Sequence, residues 1–567
     1  MPSESAPELS SMEVARLLLA ALQTHGVRDV VICPGSRSAP LAYALAEAEA
    51  AGTIRLHVRI DERVAGFTAL GLALAGGRPV PVLTTSGTAV GELLPAVMEA
   101  NHVGAKLLVL SADRPAELHG TGANQTTNQI DLFGVHVRGS VTIPAGTRPE
   151  ALVAEALSFA RGTAAVAPGP VQINVAFRDP LVPAPGDRLP EFGANVTRPP
   201  VALAPDNDPR WRNHKPVTER RTVVVAGHGA GPEAEDFARA LGLPLFAEPS
   251  SNARFGPNAI GPYRTLLAGH MARIERVVLF GRPTLTRPVG MLLGNPDIDS
   301  ALWAPAPTPW FEPGRRREQA IGDPAILAEF AGVGPAGWLG QWQELGRQAA
   351  AVIEEAIAAD GGLNGPVVAR ETWALSRGNL VLGSSNVIRD ADLCGDPAPH
   401  PTATVYANRG LAGIDGTLAT ATGIAQARGG RKTTLLVGDV TFLHDVGALL
   451  IGEGEPEPEM DVVVLNDLGG AIFSTLEHGA VEESGRYANT VERLFGTPHR
   501  VQLRHLAAAY GWEYVAVETT HELRDALSAG AAGRRIIEAS VSRAGLRTLH
   551  ASIATAVHAL PWPGSGD

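Results

Sequence analysis

Thr434-Leu435-Leu436-Val437-Gly438-Asp439, and further on Asp461-Val462-Val463-Val464-Leu465-Asn466-Asp467-Leu468-Gly469-Gly470, decide how this chain folds. Each stretch is a short apolar run, rich in valine or leucine, stopped by glycine and acidic residues. That is the pattern of a buried strand entering a loop. Strands buried on both faces belong to parallel sheets, and such sheets bind ligands in the crevice beyond their carboxyl ends. Asp439 and Asp467 would meet there. With a backbone carbonyl near Gly469 they could hold an octahedral Mg²⁺, whose other ligands are water and substrate phosphates. Glycines at these strand ends would let the backbone approach a diphosphate. Gly-Asp and Asn-Asp are also ordinary turn residues, and that alternative stays open on these residues alone.

The sequence on either side repeats the strand-and-loop pattern. Leu380–Leu382, Thr404–Tyr406 and Arg534–Ala539 read as further strands of the last third. The first third alternates: a helix over Met12–His25 with Ser11 as its cap, a strand Val30–Cys33 running into Pro34-Gly35, and a helix Leu41–Ala51. Strand Ile54–Ile60, a helix opened by Asp61, strand Val80–Thr84, helix Gly91–Ala100 and strand Leu107–Ser111 follow. A middle unit has strand Arg221–Ala226, loop Gly227-His228-Gly229-Ala230-Gly231, helix Glu233–Leu241, strands Pro244–Ala247 and Arg276–Phe280, and helix Trp338–Ala359. Proline-rich Asp179–Asp208 and then Asp360-Gly361-Gly362 read as linkers. The expectation is an α/β protein of three consecutive parallel-sheet domains, over residues 1–185, 205–360 and 363–567.

Composition narrows the partners. Of 567 residues, 45% are hydrophobic and 19% charged, with a formal net charge of −12, so the chain is globular and not suited to nucleic acid. No apolar run is long enough to span a membrane. Two cysteines, Cys33 and Cys394, cannot build a disulfide framework or structural zinc site, which fits a reducing, cytoplasmic setting. The N-terminus lacks the basic region of a signal peptide. Only three residues are lysine (Lys106, Lys215 and Lys432), so arginine carries nearly all the positive charge. A single arginine is therefore weaker evidence of anion recognition here than elsewhere.

The pair of strand ends resembles the thiamin diphosphate-binding motif, a Gly-Asp-Gly with an Asn-Asn downstream. Val440 stands in place of the third glycine and Asp467 in place of the second asparagine. Aspartate is an equally hard oxygen ligand, and Asn466 is the fallback if the register shifts by one. An enzyme of that kind needs a carboxyl group against pyrimidine nitrogen N1′, best buried so that its pKa rises. Glu62 opens an apolar helix after a strand and qualifies. An acid in any first helical turn is favoured electrostatically as well. The tight loop Thr84-Thr85-Ser86-Gly87-Thr88 favours the site reading.

Over nearly its whole length the chain resembles the 2-succinyl-5-enolpyruvyl-6-hydroxy-3-cyclohexene-1-carboxylate synthases, a family of thiamin diphosphate-dependent enzymes. The resemblance rests on Cys33-Pro34-Gly35-Ser36-Arg37-Ser38, Asp61-Glu62-Arg63, Ala112-Asp113-Arg114-Pro115 and Gly122-Ala123-Asn124-Gln125-Thr126. It rests further on Asn408-Arg409-Gly410, Gly413-Ile414-Asp415-Gly416 and Gly469-Gly470-Ala471-Ile472-Phe473-Ser474. It implies decarboxylation of 2-oxoglutarate on thiamin diphosphate, then 1,4-addition of the succinyl-semialdehyde carbanion to isochorismate, in menaquinone biosynthesis.

By the same resemblance Glu62 is catalytic. Pro34, Gly35, Thr85, Gly87, Gly413, Ile414, Gly438, Asp439 and Val440 bind the cofactor, with Ile414 as the apolar wedge beneath it. Asp439, Asp467 and Gly469 hold Mg²⁺ or Mn²⁺. Ser36, Arg37, Arg114, Asn124 and Gln125, with Ser385, Arg389, Arg409, Ile472, Phe473 and Leu476, bind substrate. Arg389 and Arg409 are assigned to the succinyl-side carboxylate; Arg37, Arg114 and Gln125 face isochorismate. The active site is expected between two subunits, Glu62 from one and Asp439 from the other, in a homodimer or tetramer. The middle unit is expected to be a degenerate Rossmann-like domain, its glycine loop without a nucleotide and Arg287 only loosely placed. No adjacent histidine pair occurs, which suits capture of the carbanion by a carbon electrophile rather than a proton.

Overall fold

The computed structural model describes residues 8–184, 211–427, 431–529 and 533–564. Three separate parallel sheets organise it. The first contains β1 (Asp29–Ile32), β2 (Arg55–Val58), β3 (Val80–Thr84), β4 (Leu107–Asp113), β5 (Ser140–Ile143) and β6 (Val171–Ala176), in spatial order β2-β1-β3-β4-β6-β5. The middle sheet contains β7 (Thr222–Ala226), β8 (Leu245–Ala247), β9 (Arg276–Phe280), β10 (Asp299–Trp303) and β11 (Gln319–Ile321), in order β11-β10-β9-β7-β8. The last contains β12 (Gly378–Leu382), β13 (Ala403–Tyr406), β14 (Thr433–Gly438), β15 (Met460–Asn466), β16 (Glu513–Val517) and β17 (Arg534–Ser540), in order β13-β12-β14-β15-β17-β16. Strand for strand, the first and last sheets share one topology.

That topology sets where ligands can bind. In both sheets the chain leaves toward one edge after the first strand and returns to the other side with the third, so the order reverses between β1 and β3 and between β12 and β14. The crevice at such a reversal lies beyond the carboxyl ends of the two strands. In the first domain those ends lead into residues 33–37 and 85–87; in the last, into 383–385 and 438–440. The proline-rich segment read as the first linker lies largely outside the described residues.

First and last domains join through two helices. Asp61 caps Glu62–Gly76, its Oδ1 accepting from Val64 N at 3.1 Å. This helix lies across Thr417–Ala427 of the last domain, and Phe67 and Leu70 share one apolar core with Leu418 and Ile424. The crossing is closed by two glycines. A Cβ on Gly71 would stand 2.1 Å from Thr420 O, and one on Gly423 would stand 2.1 Å from Thr68 O. No alanine fits either place without parting the helices. The middle domain packs on the last: the core around Tyr263, Trp338 and Trp342 continues into Ile388 and Leu393.

The loop Gly227-His228-Gly229-Ala230-Gly231 has a structural cause. His228 and Arg282 exchange backbone hydrogen bonds (2.7 and 2.9 Å), and a Cβ on Gly227 would lie 2.2 Å from the Arg282 carbonyl carbon. The glycine thus admits a neighbouring backbone. Two local expectations need correcting. Ser10, not Ser11, caps the first helix, in a capping box with Glu13, and Gly91–Ala100 is two helices, Thr88–Gly91 and Leu94–Val103. Among the described residues no helix is long and apolar enough to cross a membrane.

Candidate active site

Asp439 opens a short helix directly after β14 and is buried. Its Oδ1 accepts from Val440 N (2.6 Å), and its Oδ2 from Gly469 N (2.8 Å) and His499 Nε2 (3.0 Å). Asp467 follows β15 at 8% exposure, and its Oδ1 has no hydrogen-bond partner. Burial, then the charge of Asp439, push the Asp467 carboxyl up to about 7. Asn466 is already committed: its Nδ2 donates to Glu538 Oε1 (2.6 Å) and its Oδ1 accepts from Leu468 N (3.2 Å). That contact holds Leu468 in the left-handed region at φ 60°, a strained position for leucine. Gly469 is crowded from the other side, since a Cβ there would meet Gly496 O at 2.4 Å.

Two adjacent carboxylates, one with an orphaned oxygen, are a site short of positive charge. They suit a hard divalent cation, and the orphaned atom lies on Asp467, not Asn466. Among the described residues no group of three His, Cys, Asp or Glu side chains is placed to enclose an ion. An ion held by Asp439 and Asp467 would take its other ligands from water and phosphate oxygens.

Two cations stand at neighbouring strand ends. Arg389 lies on the helix Asn386–Cys394 after β12, with Nη1 donating to Ser385 O at 2.7 Å. Arg409, 2% exposed, follows β13. Burial lowers both pKa values, helped by the Arg409 charge at Arg389 and by the Arg282 charge at Arg409. Among the described residues neither has a carboxylate within 4.0 Å. The Glu248 and Glu99 charges offset part of the burial of Arg409, and those of Asp390 and Asp392 part of that of Arg389, without an ion pair in contact. Ser385 belongs to the same crevice, its Oγ 3.8 Å from where a Gly438 Cβ would lie. Ile414 is half-buried, in the loop after Arg409. Gly413 is hemmed in by Asp415, and Ala412 between them and Arg409 has φ 61°.

Ile472, Phe473 and Leu476 line a segment of short helices past the Asp467 loop and are half-buried. Phe473 packs against His478 and Phe495, and His478 stacks on Phe495 at 4.2 Å. Arg287 reaches this segment from the middle domain, but it is exposed and bonded to Glu477 at 2.5 Å.

The first-domain residues lie in the loops beyond β1, β3 and β4 and at the start of the helix Glu62–Gly76. Glu62 is half-buried at the start of its helix, and burial, then the neighbouring Asp61 and Glu92 charges, raise its pKa. Pro34, Gly35 and Ser36 are exposed beyond β1, and a Gly35 Cβ would lie 2.3 Å from Thr85 Cβ, so the two loops touch. Arg114 Nη1 donates to Ser86 Oγ (2.5 Å) and Gln125 O (2.6 Å). The Arg37 charge depresses the Arg114 pKa, after burial, so the two cations are neighbours. Arg37 donates to Phe177 O at 2.9 Å, with Asp179 3.9 Å away. Gln125, φ 54°, donates through Nε2 to Ser86 O (2.8 Å) above Gly87, and Asn124 beside it is exposed. The charges that shift Glu62 are Asp61 and Glu92, whereas those acting on Asp467 are Asp439, Arg543 and Asp390.

Residues 12–132 match the family described as thiamine pyrophosphate enzyme, N-terminal TPP binding domain, and residues 397–538 the corresponding C-terminal TPP binding domain. The chain is 60% identical, over 98% of its length and 98% of the relative's, to a 2-succinyl-5-enolpyruvyl-6-hydroxy-3-cyclohexene-1-carboxylate synthase of Paenarthrobacter aurescens. It is 59% identical to one from an Arthrobacter species (98% and 94% covered) and 42% to one from Mycobacterium avium (96% and 99%). The chain belongs to the 2-succinyl-5-enolpyruvyl-6-hydroxy-3-cyclohexene-1-carboxylate synthase family. It is a thiamin diphosphate-dependent enzyme, with a matched TPP binding domain near each end of the chain.

Three residues that contact the candidate site escaped sequence reasoning. His499 comes from an irregular stretch with no motif around it. Glu99 reaches across from the first domain to accept from Gly410 N (2.6 Å) and Leu411 N (2.7 Å), fixing the loop that carries Arg409. Glu248 binds the middle-domain loop against which Arg409 rests. For each, the only signal was an acid or a histidine of unremarkable spacing.

Proposed function

We propose that this chain decarboxylates 2-oxoglutarate on thiamin diphosphate and transfers the remaining succinyl-semialdehyde unit to isochorismate by 1,4-addition. The product is 2-succinyl-5-enolpyruvyl-6-hydroxy-3-cyclohexene-1-carboxylate, with CO₂ released, as a step of menaquinone biosynthesis in the cytoplasm. The observation that carries this is the placement of half-buried Arg389 and buried Arg409 beyond β12 and β13, the strands beside those that end at Asp439 and Asp467, with no carboxylate in contact with either arginine. When bound, thiamin diphosphate supplies the electron sink that lets CO₂ leave a 2-oxo acid.

The chain's own residues do the rest. Asp439, Asp467 and the Gly469 carbonyl would hold Mg²⁺ or Mn²⁺ against the diphosphate. Gly438, Val440, Gly413 and Ile414 would seat the cofactor from one domain, and Pro34, Gly35, Thr85 and Gly87 from the other. Glu62 would keep a proton at its carboxyl, shared with pyrimidine N1′, for which its raised pKa suits it. Arg389 and Arg409, with Ser385, would bind the 2-oxoglutarate carboxylate. Arg37, Arg114, Asn124 and Gln125, with Ser36, would bind isochorismate, and Ile472, Phe473 and Leu476 would keep water from the reacting carbon. With domains at 1–185, 205–360 and 363–567, these groups would come from the first and third.

The reading includes self-association, at least as a homodimer. Ile60, 69% exposed, lies two residues before Glu62, and Leu468, 48% exposed, lies beside Asp467. Large apolar groups left open beside Glu62 and Asp467 support their covering by a second copy. Purified protein with thiamin diphosphate, Mg²⁺, 2-oxoglutarate and isochorismate tests the function by isochorismate loss and product mass. Glu62→Gln should still bind Mg²⁺ and thiamin diphosphate yet release no CO₂. Turnover of pyruvate in place of 2-oxoglutarate would contradict the assignment.

A further inference from the structure

We infer that Thr284 and Glu248, both in the middle domain, are positioning residues that aim the Arg409 guanidinium at a substrate carboxylate. The inference rests on the proposed role of Arg409 and extends it to a domain whose sequence suggested no part in the chemistry.

A guanidinium has five N–H donors in a fixed plane. Arg409 Nε donates to Thr284 Oγ1 (3.0 Å), Nη2 to Thr284 O (2.6 Å) and Nη1 to Ser384 O (3.5 Å). One N–H therefore remains on each terminal nitrogen, the pair that grips a carboxylate bidentately. Thr284 takes two of the three bonds and so sets the plane of the fork.

The Thr284 hydroxyl can do this only in one orientation. It has a single hydrogen, and a lone pair must face Arg409 Nε. That hydrogen goes to Glu248 Oε2 at 3.2 Å. The other Glu248 oxygen, Oε1, accepts from Thr284 N (2.8 Å) and Leu285 N (2.9 Å). Glu248 is 1% exposed at the end of β8, so water cannot replace these contacts freely. The loop is held from behind as well: Arg282 pairs with His228 through the backbone, and its Nη1 donates to Gly410 O (2.6 Å). The relay runs from Arg409 Nε–H to Thr284 Oγ–H to the Glu248 carboxylate. It couples a binding arginine of the third domain to the frame of the second.

The test uses the holoenzyme with thiamin diphosphate and Mg²⁺ and compares Thr284→Val, Thr284→Ser and Glu248→Gln. Valine keeps the shape but offers neither acceptor nor donor. Glutamine at 248 turns an NH₂ toward the Thr284 hydroxyl, which loses the acceptor that fixed its hydrogen and no longer holds one orientation toward Arg409 Nε. Thr284→Val and Glu248→Gln should each raise KM for 2-oxoglutarate about tenfold, as expected for a weakened charge-assisted contact. KM for isochorismate should stay within about twofold, and Thr284→Ser should restore the wild-type value. The preference for 2-oxoglutarate over 2-oxopentanoate, which has a methyl in place of the distal carboxylate, should fall by about the same factor. A merely structural contact would lower kcat or yield of folded protein without moving that preference. If Thr284→Val does not fold, Glu248→Gln and Thr284→Ser decide the question alone. Variants that keep the wild-type KM and preference overturn the relay. A wild-type enzyme inert toward 2-oxoglutarate overturns the function on which it rests.

Discussion

Replacing Gly71 by alanine puts a methyl group where the helix Glu62–Gly76 crosses Thr417–Ala427. The added Cβ would lie 2.1 Å from Thr420 O, 2.9 Å from Thr420 C and 3.0 Å from Ile424 N. Carbon–oxygen contacts settle at about 3.3 Å, so the helices must part by about 1 Å. Overpacking of a filled core costs about 1–3 kcal/mol, and a clash with backbone falls at the upper end. Alanine regains up to about 1 kcal/mol in helix propensity, which leaves a net loss of about 2 kcal/mol. Gly76→Ala is the internal control. It lies on the same helix, with nothing within 4 Å of its added Cβ, and should gain about 0.5–1 kcal/mol. Urea unfolding of the cofactor-free protein, followed by circular dichroism, reads both. The midpoint should fall for Gly71→Ala and rise for Gly76→Ala. Equal shifts of the same sign would refute the argument that this crossing is sterically closed.

Asp390, fully buried, accepts from Asn386 Nδ2 at 3.0 Å, and burial pushes its carboxyl up to about 7 against the pull of Arg264 and Arg389. The folded chain then holds a proton that the unfolded chain has released, so this stability is lost as pH rises from about 4 to about 7, on the order of 4 kcal/mol in all. Asp390→Asn should flatten that part of the melting-temperature profile and stabilise the protein at pH 8; an unchanged slope would contradict the assignment. Asp467→Ala should weaken Mg²⁺-supported thiamin diphosphate binding by about tenfold or more in calorimetry, and Asn466→Ala by less. The reverse order would place the metal ligand one residue earlier.

The parallel sheets were legible because strands covered on both faces are continuous apolar runs, as in Val462-Val463-Val464 of β15. The missed strands broke that signal. β5 and β16 are edge strands with one face partly open, and β11 is three residues long. β6 is buried throughout yet carries Gln172 and Asn174, whose side chains bond Gln129, Ser111 and Asp113. Polar groups satisfied by distant partners look like surface in a sequence. The site divides the same way. Glu62, Asp439 and Asp467 stand at strand ends or helix starts, where local pattern places them. His499, Glu99 and Glu248 act through contacts whose sequence separation carries no period, so only the fold reveals them.

The central claim is that Glu62 of one subunit and Asp439 of another serve the same cofactor. Glu62→Gln and Asp439→Ala, each inactive alone, should be mixed, dissociated and reassociated. Half of the resulting dimers would be hybrids, and each hybrid would carry one site with both native acids and one with neither. The account predicts recovery of about a quarter of wild-type activity. A mixture that stays as inactive as its components, although hybrid dimers are shown to form, would contradict it.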